Sequence, residues 1–373
     1  MTEPLHGTRS PRIVRWTGRS ALFVTAIGLL VLALAFGPLF MPAEVLDRLT
    51  SLFVYILLAA MWNALAGYGG LVSIGQQAFI GLGGYALIRL SAAGVNVYAA
   101  VMVAALLVGL LSIPISQLML KLGGGEFAIG TWVLSELLLL LVTIDPIVQG
   151  QTGTSLLAIN AYAPTVRRAD TYWMALAFLV VLTSVLFFLL RSRVGASLQA
   201  VRDDETAAAS IGINVLRSKQ VLFFLSALGC AAGGAVWLAS SITYQPATFF
   251  GAQWTAYMLF MVIVGGIGTF EGPIIGAIVF FIAETWFGAT GVIYLIGLGV
   301  LAIGFALFLP RGIWGALEER FALRLLPIGY YLRVDTIEVP SGTVRPNAGH
   351  AAPGDSAGER GDPAGRPGSN ATS

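Results

Sequence analysis

Ten stretches of this sequence are dominated by apolar side chains for about twenty residues each, the length an α-helix needs to cross the ~30 Å hydrocarbon core of a bilayer. They fall at residues 21–41, 49–66, 73–92, 98–120, 127–144, 172–190, 220–240, 254–270, 273–288 and 291–309. Backbone polar groups at that depth must be satisfied within the segment, so the predicted fold is an all-α polytopic membrane protein with about ten transmembrane helices. Composition agrees: the chain is 57% hydrophobic and 11% charged, whereas soluble domains carry about 25% charged residues. The third run is studded with glycine, and the ninth is short and contains Glu284. Both are expected to be broken or re-entrant.

The positions of the basic residues orient these spans. With the N-terminus in the cytoplasm, ten spans return the C-terminus there too. Arg9, Arg12, Arg15, Arg19, Lys121, Arg191, Arg193, Arg202, Arg217, Lys219, Arg311, Arg320, Arg324 and Arg333 then fall inside, while Arg48, Arg167 and Arg168 fall in outside loops. Arg89, near the outer end of the third span, is expected to snorkel to the interface instead of pairing with an acid. The first apolar run is long enough to span and many more follow, so it reads as an uncleaved signal anchor.

These spans divide the chain into a cytoplasmic segment (1–20), a transmembrane domain (21–310), a cytoplasmic amphipathic segment (311–340) and a tail (341–373). Within the transmembrane domain lie an external loop, 145–171, and a cytoplasmic loop, 191–219. The stretch after Pro310 places Trp314, Leu317, Phe321 and Leu325 on one helical side. Gly, Pro, Ala and Ser dominate the tail, which is expected to be disordered and without a catalytic role.

Several function classes are disfavoured. A net charge of +2 with dispersed arginines does not make a nucleic-acid surface. His6 and His350 lie in the polar ends, so the spans lack the usual general base and the commonest metal ligand. Cys230 is the one cysteine; it sits in an apolar run and reads as a small packing residue. No catalytic residues and no metal site are therefore assigned.

Four constellations remain. GYGGLVSIGQQAFIGLGGYA, residues 67–86, holds seven glycines together with Ser73, Gln76 and Gln77 at membrane depth. It reads equally as a tight helix-packing seam and as the lining of a permeation path. IVGGIGTFEGPIIGA, residues 263–277, breaks at Gly272-Pro273; its GGIG lacks the spacing of a dinucleotide site, so it reads as the corner of a helical hairpin. Glu136 and Glu284 fall inside spans, which makes them functional candidates. They also raise an alternative: a proton-coupled secondary carrier. In the loop 191–219, Asp203, Asp204 and Glu205 precede TAAAS as at a helix N-terminus, Gly212 is a natural stop, and Ala207, Ala208 and Ile211 form a small-residue face.

Three of these stretches resemble the integral-membrane permease of bacterial branched-chain amino-acid ABC importers, a group that includes urea and sugar permeases. The likeness covers most of residues 50–310. It is carried by Gly67, Tyr68, Gly70, Ser73, Gly75, Ala78 and Phe79; by Arg202, Asp203, Asp204, Glu205, Ala207, Ala208, Gly212 and Ile213; and by Gly265, Gly266, Gly268, Thr269, Gly272, Pro273, Gly276 and Ala277. The chain departs from the pattern at Gln76, where histidine is common, and at Leu122 to Phe127, where Leu-Arg-Gly-Asp-Tyr is common.

The resemblance implies an inner-membrane importer subunit that pairs with a second permease, two cytoplasmic ABC ATPase subunits and an external solute-binding protein. No GxxxxGK[ST] loop is present, so ATP belongs to the partner ATPases and no cofactor is bound by this chain. Arg202, Asp203, Asp204, Glu205, Ala207, Ala208 and Gly212 become the expected coupling element. Ser73, Gln76, Gln77, Phe79, Gly265, Gly266, Gly268 and Thr269 become candidates for the path.

Overall fold

The structure, a computed structural model, describes residues 12–14, 18–321 and 331–333. Each of the ten apolar runs contains a helix: α1 (Gly18–Ala35), α2 (Ala43–Asn63), α3 (Gln77–Ala92), α4 (Val97–Met119), α5 (Gly124–Thr143), α6 (Pro164–Arg191), α9 (Val215–Ser241), α10 (Gln253–Gly265), α11 (Gly272–Phe287) and α12 (Val292–Phe308). Two short helices, α7 (Arg193–Asp203) and α8 (Glu205–Ser210), fill the loop before α9, and α13 (Gly312–Phe321) follows α12. Eight of the helical stretches are long and apolar enough to cross a membrane; α3, at 16 residues, and the apolar part of α1 are shorter. The tail 341–373 and Leu325 lie outside the described residues.

The third run is broken as expected, with residues 69–76 not helical ahead of α3. The ninth is not. α11 runs without interruption from Gly272, with Pro273 in its first turn. Glu284 does not open the helix because its carboxylate accepts a 2.7 Å hydrogen bond from the Tyr55 hydroxyl of α2. The eighth run ends at Gly265, short of its expected limit, because Gly266 takes φ +128° and turns the chain. The external loop is also shorter than predicted, since Pro164 starts α6.

α2 and α9 form the buried centre, and α9 packs against α2, α3 and α4. Small residues allow this. In the stretch Gly229, Cys230, Ala231, Ala232, Gly233, Gly234 and Ala235, α9 is fully covered, and Cys230 is a buried free thiol. A Cβ on Gly83 would strike the Ala231 carbonyl, and one on Gly234 would strike the Ile80 carbonyl, so α3 and α9 touch backbone to backbone. Gly234→Val is expected to lower stability in detergent by about 1–3 kcal/mol, read as a fall in melting temperature. Gly299→Val, on α12 where nothing lies within 4 Å, is the neutral control.

On one side of the bundle the loop after α5 is fastened to the core. Thr154–Ser155 (β1) pairs antiparallel with Thr243–Tyr244 (β2), and the buried Tyr244 hydroxyl donates to the Gly81 carbonyl at 3.0 Å. Arg89 does not simply snorkel, contrary to expectation: its Nε lies 2.8 Å from Asp145 Oδ2, which also accepts a 2.5 Å bond from the Tyr85 hydroxyl. The acid pairs with Arg89 because the chain after α5 brings Asp145 back over α3, a contact no local pattern encodes.

The Tyr85 hydroxyl first, then the Ile147 amide and Arg89, hold the Asp145 carboxyl below its ordinary range against the opposing effect of burial. A lowered folded-state value means that this tether stabilises fully above the unfolded value of about 4 and is lost as pH falls through the lower folded one. Protection of the amides across 145–156, taken relative to intrinsic exchange at each pH, is therefore expected to fall on acidification below about pH 4, and Asp145→Asn to remove that change in protection.

Candidate functional site

The three glycine and charge motifs, far apart in sequence, meet at one end of the bundle. α2 does not stop at Asn63 but widens into a π-helical turn, Ala64–Tyr68, a form that often marks functional positions. From the elbow between α7 and α8, Arg202 reaches across and donates from Nη1 to the Gly67 carbonyl at 2.7 Å. The hairpin corner 266–271 lies on the same turn. Asn63 Oδ1 accepts from the Gly268 amide at 2.8 Å, and Asn63 Nδ2 donates to the Thr269 carbonyl at 2.8 Å. A Cβ on Gly67 would sit 2.6 Å from the Gly268 nitrogen, so only glycine permits this approach.

The corner is shaped from within. Thr269 Oγ1 donates to the Gly266 carbonyl at 2.7 Å and accepts from the Gly272 amide at 3.1 Å. α13 closes the corner from outside, with Trp314 buried and Gly312 against Gly266. A cavity of about 640 Å³ opens beside it, lined in part by Thr269, Arg311, Glu318 and Glu319. Gly265, Gly266, Gly268 and Thr269 thus belong to this junction at the ends of spans.

The elbow itself has the predicted helix signals. Asp204 caps α8, its carboxylate accepting from the Thr206 and Ala207 amides at 2.8 and 2.9 Å. Gly212 takes φ +86°; its amide bonds the Ala209 carbonyl, and the Ile213 amide bonds the Ala208 carbonyl, a Schellman stop. Glu205 accepts from Lys219 Nζ at 2.5 Å, tying α8 to the start of α9. Asp203 is exposed, as are Ala207 and Ile211, the last at 74%. Ala208 points inward and is buried, so it supports the elbow and is not part of an outward face.

A second cluster surrounds the broken segment. α3 is about 24 Å long at ~1.5 Å per residue, short of a ~30 Å apolar layer, so from an outer end at one interface its first residue, Gln77, still lies within that layer. Ser73, Gln76 and Gln77 are all buried. Trp62 Nε1 donates to the Ser73 carbonyl at 2.9 Å, and Thr131 Oγ1 accepts from the Ile74 amide at 3.3 Å. Ser226 Oγ donates to the Met61 carbonyl at 2.9 Å and reaches Gln76 Oε1 at 3.5 Å; Thr255 Oγ1 donates to Gln77 Oε1. The Nε2 groups of Gln76 and Gln77 and the hydroxyl of Ser135 remain buried without a partner. Such orphan donors are uncommon and call for water or a ligand. Phe79, by contrast, packs edge-on against Phe223 in the core.

Residues 61–63 of α2 join the two clusters. Met61 and Trp62 hold the broken segment, while Asn63 holds the hairpin corner next to the turn that Arg202 engages. Sequence reading passed over Asn63, Thr131, Ser135, Ser226 and Thr255. Their signal was available: each is a polar side chain inside an apolar run, where an unmet hydrogen bond is costly. Asn63→Leu strands the Gly268 amide and the Thr269 carbonyl, and is expected to destabilise the purified protein by about 1–3 kcal/mol, measured by thermal unfolding.

The two intramembrane acids separate. Glu284 is half-buried and bonded to Tyr55, whereas Glu136 is exposed on α5. Among the described residues no cluster of His, Cys, Asp and Glu has the make-up of a metal site.

The family described as "Branched-chain amino acid transport system / permease component" matches residues 45–309, which contain the broken segment and the junction of Asn63, Gly67, Arg202, Gly268 and Thr269. The chain belongs to that family. This permease is similar to the high-affinity branched-chain amino acid transport system permease protein LivM of Escherichia coli strain K12. The identity is 26% over 330 residues, 81% of this chain and 77% of the relative. LivM of Salmonella typhimurium matches to the same extent. A solved structure, PsaBC from Streptococcus pneumoniae in complex with Fab, aligns with TM-score 0.45 and 13% identity over 80% of this permease and 99% of that chain.

Proposed function

We propose that this permease is the membrane-spanning subunit of a binding-protein-dependent ABC importer in a bacterial inner membrane, passing branched-chain amino acids or a related small solute by ATP-driven alternating access. The observation that supports the reading most is the junction at Gly67, where Arg202 of the charged elbow, the π-helical end of α2 and the hairpin corner meet. Arg191, Arg193, Arg202, Arg217, Lys219 and Arg311 gather around the span ends on that side, which favours the cytoplasm.

ATP hydrolysis is placed on two partner ATPase subunits. Their closure pushes on Ala207 and Ile211, Arg202 transfers the displacement to α2, and α2 moves the broken segment bearing Gln76 and Gln77. The unpartnered amides there offer hydrogen bonds to a passing solute. On the opposite side, the fastened loop 145–163 faces a solute-binding protein. A proton carrier is the weaker reading, because Glu284 is engaged by Tyr55 and His residues are absent from the spans.

Purification of the tagged chain from its native membranes in mild detergent tests this reading. ABC ATPase subunits and a second permease are expected to accompany it. Uptake by the isolated chain in liposomes, driven by a pH gradient alone, would overturn it.

A further inference from the structure

α5 presents an unusual surface for a helix in lipid. Ile129, Trp132, Val133, Leu137 and Leu140 lie along it with exposures of 48–61%. Glu136 is exposed in the same stripe, one turn from Trp132 and Leu140. It stands 7 residues from Thr143 and further from Gly124, about 10 Å from the nearer helix end at ~1.5 Å per residue. A glutamate side chain is too short to carry its carboxylate to the interface from there. The exposed faces of α4, with Met102, Leu106 and Leu110, and of α12, with Ile296, Val300 and Ile303, carry no ionisable group. Glu284, the other mid-span acid, has Tyr55 as its donor. Glu136 has no hydrogen-bond or ion-pair partner among the described residues.

An acid at that depth, ringed by apolar side chains, is not stable against acyl chains and requires protein or water over it. We propose that the Glu136 face of α5 is the seat of the second permease subunit, whose facing helix supplies a hydrogen-bond donor to the Glu136 carboxylate. The depth selects this occupant, because an ATPase or a binding protein approaching from water does not reach the middle of the membrane. The stripe defines the partner's chemistry: an apolar helix face interrupted by one donor, with Trp132 as the large side chain to be accommodated.

This inference rests on the importer reading, and the two are tested by separate readouts. Cys230 is fully buried, so nitroxide labels can be placed on the full complex in nanodiscs at Leu137→Cys and Leu140→Cys. Leu110→Cys and Ile296→Cys serve as lipid-facing controls. Oxygen collision rates at 137 and 140 are expected to fall several-fold below those at 110 and 296. Glu136→Lys is expected to release the second permease while Glu136→Gln retains it, with insertion of both checked by membrane fractionation. Lipid-like oxygen access at 137 and 140, or full retention of the second permease by Glu136→Lys, overturns the proposal. If the ATPases copurify and ATP-driven uptake persists while those labels read as lipid-facing, the seam is wrong and the importer reading stands. If no ATPase copurifies, the importer reading fails, and the label data still decide whether α5 is covered.

Discussion

Arg202→Met is expected to leave the permease inserted and bound to its ATPases, but to cut ATP-driven uptake by about tenfold or more. Coupling between sites is typically ~1–3 kcal/mol, or about 5–150-fold, and the bond from Arg202 to the Gly67 carbonyl is the described polar link between the α7–α8 elbow and α2. Methionine keeps most of the stem and removes the charged donor. ATP hydrolysis is expected to continue in this variant, which separates loss of coupling from loss of assembly. Arg202→Lys retains a charge without the planar fork and is expected to fall between the two.

Gly212→Pro is expected to have the other large effect. Gly212 holds φ +86°, which proline, fixed near −65°, does not adopt. The substitution also removes the amide that bonds the Ala209 carbonyl and so undoes the stop that aims the chain into α9. Uptake should fall to background while the spans still insert, because the elbow lies outside the buried centre formed by α2 and α9. Gly212→Asn tolerates the left-handed conformation and should retain most activity. Glu205→Arg tests the same elbow by charge: it replaces the partner of Lys219 with a like charge and should mimic the proline variant. Transport at the wild-type rate by both Gly212→Pro and Glu205→Arg would remove the elbow from the mechanism.

Local chemistry made part of this legible beforehand. Apolar run length located the helices, glycine density located the break before α3, and Asp204 and Gly212 marked the two ends of α8. These features depend on residues a few positions apart. Long-range pairings were not legible. Arg89 finds Asp145 only after the chain has passed through α4 and α5, and α11 stays continuous because Tyr55 of α2 satisfies Glu284. Asn63 was missed for the same reason, since its two partners lie about two hundred residues away in sequence. Ala208 was assigned to an outward face because helical spacing alone does not say which side of α8 the bundle covers.

The proposed contact between the elbow and an ATPase partner is read most directly by cysteine cross-linking. Ile211, the residue that caps the C-terminal end of α8, is 74% exposed. In the assembled transporter in native membranes, Ile211→Cys is predicted to form an adduct with the ABC ATPase subunit, with a yield that changes when ATP is added, whereas the buried Ala208→Cys forms none. Labelling of Ile211→Cys by a membrane-impermeant reagent from the outside, or the absence of any ATPase adduct in a transporter that still takes up solute, would contradict it.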